Sequence, residues 1–317
     1  MKEDSSEPQR ELRRRVLHAL ETTPESEPYA RVLEGRMRIF ALLQCAHFVI
    51  LRHSPWLWLA VVWAIPFALY RARTVWTVVH ERVHQRELRT TPAKIFYDVS
   101  TAFVTQLWKR HHLRHHAYTN THRDPDTRMF FGRDLNDVRR APARLVVRAA
   151  RFVLTLAQYP FFFALFLVRS LATHDARRVM LYLAAFAAYP AVLSLLLPPE
   201  MARINTVTNF SVGALYVLFT FAPTHSASKA NFEISGDRMV DQLTAANDVW
   251  PRSRLWTLLC GGINLHVEHH LFPSVPYGRL LLVAPVVEEF ARERGLPYHA
   301  YSPLGIWRAH LRLLWRS

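Results

Sequence analysis

Apolar residues in this chain come in long blocks rather than at the even spacing of a soluble domain. The first block is Met37–Leu51, ended by Arg52-His53-Ser54-Pro55, and the second is Trp56–Tyr70. Both are short for a hydrocarbon layer about 30 Å thick at about 1.5 Å per helical residue. Flanking polar residues or a locally thin bilayer would complete the hairpin. Three later blocks are Leu145–Leu171, Val179–Leu197 and Ile204–Ala222. Residues 92–118 mix apolar and polar positions after a proline, which predicts an interfacial helix. Residues 119–143 are polar and hold Asp124-Pro125-Asp126, a loop. After Pro223 the chain is polar until Leu255, where a short apolar helix leads into Gly261-Gly262. The pattern therefore predicts an all-α polytopic membrane protein. It divides into an arm at 1–36 with a short charged helix around Glu11–Leu20, a membrane domain at 37–275 and a soluble helical tail at 276–317.

Composition sharpens this picture. Half of the residues are hydrophobic, and Lys plus Arg number 40 against 25 acidic residues, a formal net charge of +15. Such an excess suits nucleic acid, anionic lipid or acidic proteins. Much of the arginine flanks apolar blocks, which favours a membrane surface and argues against nucleic acid. The two cysteines, Cys45 and Cys260, lie in apolar context and suggest neither a disulfide framework nor a Cys-rich metal site. The first 35 residues hold no apolar core of a cleavable signal peptide.

The chemistry is carried by histidine. The chain has 17, and eight fall in three clusters: His80-Glu-Arg-Val-His84, His112-Leu-Arg-His115-His116 and His266-Val-Glu-His269-His270. Imidazoles at i, i+3 and i, i+4 share one face of a helix. Eight such residues beside apolar segments predict a metal site, and His225, at the end of the last block, makes a ninth ligand. One ion rarely takes more than six ligands, so nine imidazoles call for two metals. Neutral imidazole suits Zn, Cu, Fe and Ni alike. Lone histidines such as His18, His174, His299 and His310 are expected at the surface. His47, inside the first block, needs a local partner because an ionisable group there is costly.

A single site requires all clusters on one side of the membrane. Three crossings between His116 and His266 would separate them, so one block must not cross. Leu145–Leu171, interrupted by Arg148, Arg151, Pro160 and Arg169, is the weakest and reads as interfacial. Four transmembrane helices in two hairpins remain, with a cytoplasmic helical cap holding the histidine-rich dimetal site. The positive-inside bias makes the face with both termini and the active site cytoplasmic.

These pieces together resemble the membrane fatty acid desaturase family. The first box is His80–His84, the second WKRHHLRHHAYTN (Trp108–Asn120) and the third GGINLHVEHHLFP (Gly261–Pro273). The Gly-Gly-x-Asn and Leu-Phe-Pro flanks are similar to the acyl-lipid and front-end branch, although many members there have Gln where this chain has His266. The resemblance implies one iron on His80, His84, His112, His116 and His269, and another on His115, His225, His266 and His270. An Asn that positions water in acyl-CoA members is replaced by Phe221. Asn264 either supplies a polar group instead or caps its own turn. Asp98, Asp126, Asp241 and Glu268 are candidate acceptors for the outward N–H of ligating imidazoles.

The implied activity is that of an oxidoreductase, O2-dependent desaturation of an unactivated acyl chain by a diiron centre. The substrate would be carried on lipid, CoA or acyl carrier protein. The chain lacks a His-Pro-Gly-Gly haem motif and a Cys cluster, so a separate ferredoxin or cytochrome would donate electrons. The same boxes serve an acetylenase or a membrane hydroxylase or ketolase. His80-Glu81-Arg82-Val83-His84 also fits the H-E-x-x-H pattern of an intramembrane metalloprotease with Glu81 as base, but leaves most clustered histidines unused. A metal transporter would place its ligands at mid-membrane, whereas these follow charged residues at helix ends.

Overall fold

A computed structural model describes residues 7–23, 29–84, 91–101, 105–126, 145–158, 176–227 and 235–316. These residues are mostly helical. The chain forms two compact units, one of residues 27–113 and 157–218, the other of residues 1–26, 114–156 and 219–317.

The first unit contains α2 (Tyr29–Arg52), α3 (Leu57–His84), α4 (Pro92–Thr101), the start of α5 (Thr105–Tyr118), α7 (Ala176–Leu196) and most of α8 (Pro199–Thr220). Its helices are apolar on outward as well as inward faces: Leu42 is 72% and Leu195 82% exposed. A helix apolar all round is either buried in a large core or exposed to lipid. Leu51, Ala60, Leu193 and Met201 pack one end of the bundle, and Arg52 Nη1 donates to the Leu196 carbonyl at 2.7 Å. Midway, a polar ladder joins the helices. Trp63 Nε1 donates to His47 Nδ1 at 3.1 Å, His47 Nε2 meets Asn205 Oδ1 at 2.8 Å, and Asn205 Nδ2 donates to the Tyr189 hydroxyl at 3.0 Å. His47 thus has the local partners that its position demands.

α8 continues through a 3-10 turn, Ala222–His225, and the 27-residue run Pro199–His225 is, among the described residues, the one helix long and apolar enough to cross a membrane by length and composition. Of the block Leu145–Leu171, residues 145–158 form α6 (Leu145–Gln158), and the rest lies outside the described residues, as does His174.

The second unit is organised around α12 (Tyr277–Glu293). α1 (Glu7–Glu21) lies on it through Leu12 and Val16, one helical turn apart, which meet Val283, Val287 and Phe290. Each such side chain contributes about 1.5–3 kcal/mol when fully buried. The same core includes Met239 and Leu243 of α9 (Arg238–Ala245) and Val267 of α11 (His266–Leu271). Asp237 caps α9, accepting from the Met239 and Val240 amides. α10 (Arg254–Cys260) is capped by Ser253 and closed by Gly261 at φ 66°. α13 (Pro303–Arg316) ends the unit. The all-helical expectation misses one small feature, a parallel pairing of β1 (Asp248–Val249) with β2 (Ala300–Tyr301). Two residues per strand are too few for an alternating pattern to stand out in a sequence.

Candidate metal centre

The second box is divided in sequence between the two units, with His112 in the first and His115 and His116 in the second. In the first unit, His80 and His84 at the end of α3 meet His112. The His84 and His112 Nε2 atoms are 2.9 Å apart, and the His80 and His112 rings 4.3 Å. Trp108 stacks on His112 at 4.2 Å and Trp76 packs against Trp108 at 5.2 Å, so indoles wall the cluster. Glu81 is not free to act as a base for an H-E-x-x-H site, because Arg36 Nη1 binds its carboxylate at 2.9 Å.

In the second unit, His115, His225, His266 and His270 are all buried, with one ligand atom from each lying within 4.8 Å of the others. His116 Nε2 and His269 Nε2 are 2.9 Å apart beside them. α5 supplies His115 and His116, the 3-10 turn after Pro223 supplies His225, and one face of α11 supplies the other three. Asn120, left-handed at φ 59°, ends the second box. Its Nδ2 donates to the carbonyls of His225 and Ala245, both at 3.0 Å.

What surrounds the four-histidine cluster decides its protonation. His115 Nδ1 faces Asp124 Oδ1 at 3.0 Å, His225 Nδ1 the Ala245 carbonyl at 2.9 Å, and His270 Nδ1 Gln242 Oε1 at 2.8 Å. Each of these partners accepts, so each Nδ1 carries a proton and each Nε2 turns inward. Inside, His225 Nε2 has His115 Nε2 at 3.1 Å and His266 Nε2 at 2.6 Å. One lone pair accepts one N–H, not two. His270 Nε2 is buried with no hydrogen-bond partner. The inward Nε2 lone pairs of His225 and His270 are satisfied by a cation, which at His115 replaces a proton, and the donor set fits an imidazole-binding transition metal. Burial disfavours charge on His115, but Asp124 and Asp126 outweigh it and raise its pKa to about 9. Burial, with neighbouring imidazoles, holds His266 and His270 well below the ordinary histidine value.

Of the four expected acceptors, Asp126 alone approaches an imidazole, 3.4 Å from His115 Nδ1, and Asp124 is closer. Asp98 instead pairs with Arg82 at 2.7 Å, and Asp241 accepts from the Ser235 amide. Glu268 turns to the Tyr298 hydroxyl at 3.0 Å, which also reaches Asp248 at 2.8 Å, because its helix position faces away from the histidine stripe. Burial raises the pKa of both carboxyls. Asp248 Oδ1 also accepts from the Val267 amide at 2.9 Å, which caps α11 where Leu265 gives no side-chain cap. Asn264 reaches beyond its own turn, its Nδ2 donating to Thr257 Oγ1 of α10 and to the Val249 carbonyl of β1, both at 3.1 Å. Phe221 puts its ring edge-on to His266 at 5.6 Å. His310, expected at the surface, is fully buried with Nδ1 2.5 Å from Ser226 Oγ, because it lies on the inward face of α13.

The fatty acid desaturase family model matches residues 11–302. The chain belongs to the fatty acid desaturase family. An acyl-lipid (8-3)-desaturase of Thraustochytrium sp is 25% identical over 234 residues, 65% of this chain and 50% of that protein. A second acyl-lipid (8-3)-desaturase, from Physcomitrium patens, is 36% identical over 69 residues, 22% of this chain and 14% of its own length. Delta(8)-fatty-acid desaturase 1 of Arabidopsis thaliana is 33% identical over 97 residues, 30% of this chain and 21% of that one. These matches span half or less of the relatives' own lengths.

Gln242 and Asp124 lie outside the histidine boxes of this desaturase-family chain and would not be chosen from sequence alone. Gln242 also donates to the His116 carbonyl at 3.3 Å. Gln242→Leu is expected to weaken metal uptake by the four-histidine cluster by about 10–100-fold, the usual range for losing the acceptor behind a ligating imidazole. Gln242→Glu, which keeps an acceptor, should fall well short of that. Cobalt titration followed by its visible absorption reads both variants.

Proposed function

We propose that this protein is an O2-dependent fatty acyl desaturase with two histidine-bound irons. His80, His84, His112, His116 and His269 would hold one, and His115, His225, His266 and His270 the other. The observation that carries the reading is the set of Nδ1–H groups fixed outward by Asp124, Ala245 and Gln242, which turns the three Nε2 atoms inward. When bound, the irons would supply the oxidising power that removal of hydrogen from an unactivated carbon requires.

The protein's own residues then have three tasks. The acceptors hold each imidazole in one tautomer and orientation. Trp76, Trp108 and Phe221 exclude water from the imidazole clusters. The polypeptide must also hold one methylene pair of an acyl-lipid, acyl-CoA or acyl carrier protein substrate near the metals. In balance, one O2 accepts two hydrogens from the chain plus two electrons and two protons, leaving a double bond and two waters. The electrons would come from a separate ferredoxin or cytochrome, whose acidic surface would suit the basic chain.

Expression in a host of known lipid content, with mass spectrometry of its acyl chains, tests the activity. New double bonds are expected. Hydroxylated or acetylenic chains would assign the alternative outcomes of the same site, and peptidase activity with a single zinc would refute it.

The topology that goes with this function has four spans in two hairpins, formed by the 37–275 domain. The 1–36 arm, the 276–317 tail and the metal site would all lie on the cytoplasmic side. A reporter inserted near Thr173–Arg177 should therefore read cytoplasmic. An external reading would mean that Leu145–Leu171 crosses the membrane.

A further inference from the structure

α10 has an apolar face that nothing in the metal chemistry uses. Leu255 is 67%, Leu258 60% and Leu259 50% exposed, at i, i+3 and i+4 on one side of a helix capped at both ends. Trp250, just before it, is 50% exposed and sits at φ 44°, a left-handed conformation that strains a bulky residue. Its backbone is held there from both sides: its amide donates to the Tyr301 carbonyl and its carbonyl accepts from the Ser253 amide, both at 2.9 Å. Exposed Arg254 borders the apolar face, while Arg252 pairs with Glu288 at 2.9 Å. A strained tryptophan, three leucines and a flanking arginine form the composition of a membrane-interface anchor.

The position of α10 agrees. Its Trp256 packs on a small core of Ala227, Val249, Ile306 and Ala309. Ala227 lies two residues past the end of the apolar run Pro199–His225. On the same core, Trp307 of α13 packs against Phe219, a 58% exposed residue in the last turn of α8. The core that supports α10 thus includes the last turn of the apolar run Pro199–His225.

We propose that α10 and Trp250 form an interfacial anchor, in which Leu255, Leu258 and Leu259 enter the acyl region of the bilayer and Arg254 faces lipid phosphates. The anchor reaches the third histidine box through Gly261-Gly262 and through Asn264, whose side chain ties α10 to the turn before His266. It would therefore set the depth of His266, His269 and His270 relative to the lipid. The inference rests on Pro199–His225 crossing the bilayer, and not on which metal is bound.

The test uses the full chain in phosphatidylcholine nanodiscs containing some phosphatidylglycerol. Spin labels are placed one at a time on Leu255→Cys, Leu258→Cys, Val207→Cys and Arg13→Cys, each with Cys45→Ser; Cys260 is buried. Collisions with oxygen should exceed those with a water-soluble nickel chelate several-fold at Leu255 and Leu258, as at Val207 in α8, and the reverse should hold at Arg13 on exposed α1 surface. A nickel-dominated signal at the α10 sites with a lipid signal at Val207 overturns the anchor alone. A nickel-dominated signal at Val207 overturns the span and the anchor with it. Shielding of the α10 sites from both agents assigns the face to a protein partner, which also overturns the proposal. Leu255, the most exposed of the three, keeps the test open if labelling Leu258 disturbs folding.

Discussion

Replacement of His225 by alanine is expected to remove about one of two irons and nearly all turnover, while helical content is kept. His225 belongs to no histidine box, so a reading from motifs alone would leave it out. Its Nε2 lies between His115 at 3.1 Å and His266 at 2.6 Å, and its Nδ1 is fixed by the Ala245 carbonyl. Alanine at this position takes one imidazole from a set of four, which on the proposed two-iron reading lowers affinity for one ion without touching the other. The 3-10 turn that carries it is held by backbone bonds and by Asn120, neither of which needs the imidazole, so folding should survive. His18→Ala, on the exposed side of α1, should keep both irons and full rate. Iron is counted by inductively coupled plasma mass spectrometry and turnover by product chromatography. Full iron content and full turnover in His225→Ala would end the nine-ligand arrangement.

Gly262→Ala should be the most damaging change outside the histidine clusters. Gly262 sits at φ 92°, and a Cβ there would lie 2.5 Å from Tyr277 Cβ and 2.8 Å from its Cγ. Left-handed backbone costs a non-glycine residue about 1–2 kcal/mol, and overpacking adds about 1–3 kcal/mol. The strain has no harmless outlet. Tyr277 opens α12 and packs on His269 at 5.2 Å, while the Gly262 carbonyl accepts from the Leu265 amide in the turn before α11. Either the turn or α12 must move, and both carry the third box. A fall in melting temperature of about 5 °C or more is expected, with reduced iron content. Gly278→Ala, where an added Cβ meets nothing within 4 Å, lies in the first turn of α12 and should be neutral or slightly stabilising. Equal melting temperatures for the two variants would refute the steric account.

The two changes differ in how visible they are without a structure. Gly262 stands in a Gly-Gly pair before a histidine box, so its importance is readable, although the clash with Tyr277 is not. The eight box histidines are likewise readable, because i, i+3 and i, i+4 spacing maps onto one helix face whatever the helix later packs against. His225 is readable only through its place at the end of an apolar block.

Other features needed the folded chain. Asp124 and Asp126 are two residues apart in a polar loop, and nothing local says that the first of them turns toward His115. Gln242 is 28 residues from His270 and has no motif. Glu268 looked like an imidazole partner by its neighbours in sequence, yet it shares Tyr298 with Asp248, which comes from a different segment. His310 looked like a surface residue because a lone histidine carries no periodic signal.

Helix-forming blocks, the charge that borders them and the clustered imidazoles are local properties, set by composition and by the 3.6-residue period, and the sequence by itself determined them. Which acceptor stands behind each imidazole, which carboxyls pair with each other and which apolar face of α10 stays exposed depend on contacts between distant segments. The tertiary structure decided these alone, since a hydrogen bond is satisfied by whatever group packing brings within about 3 Å, and sequence distance places no limit on where that group comes from.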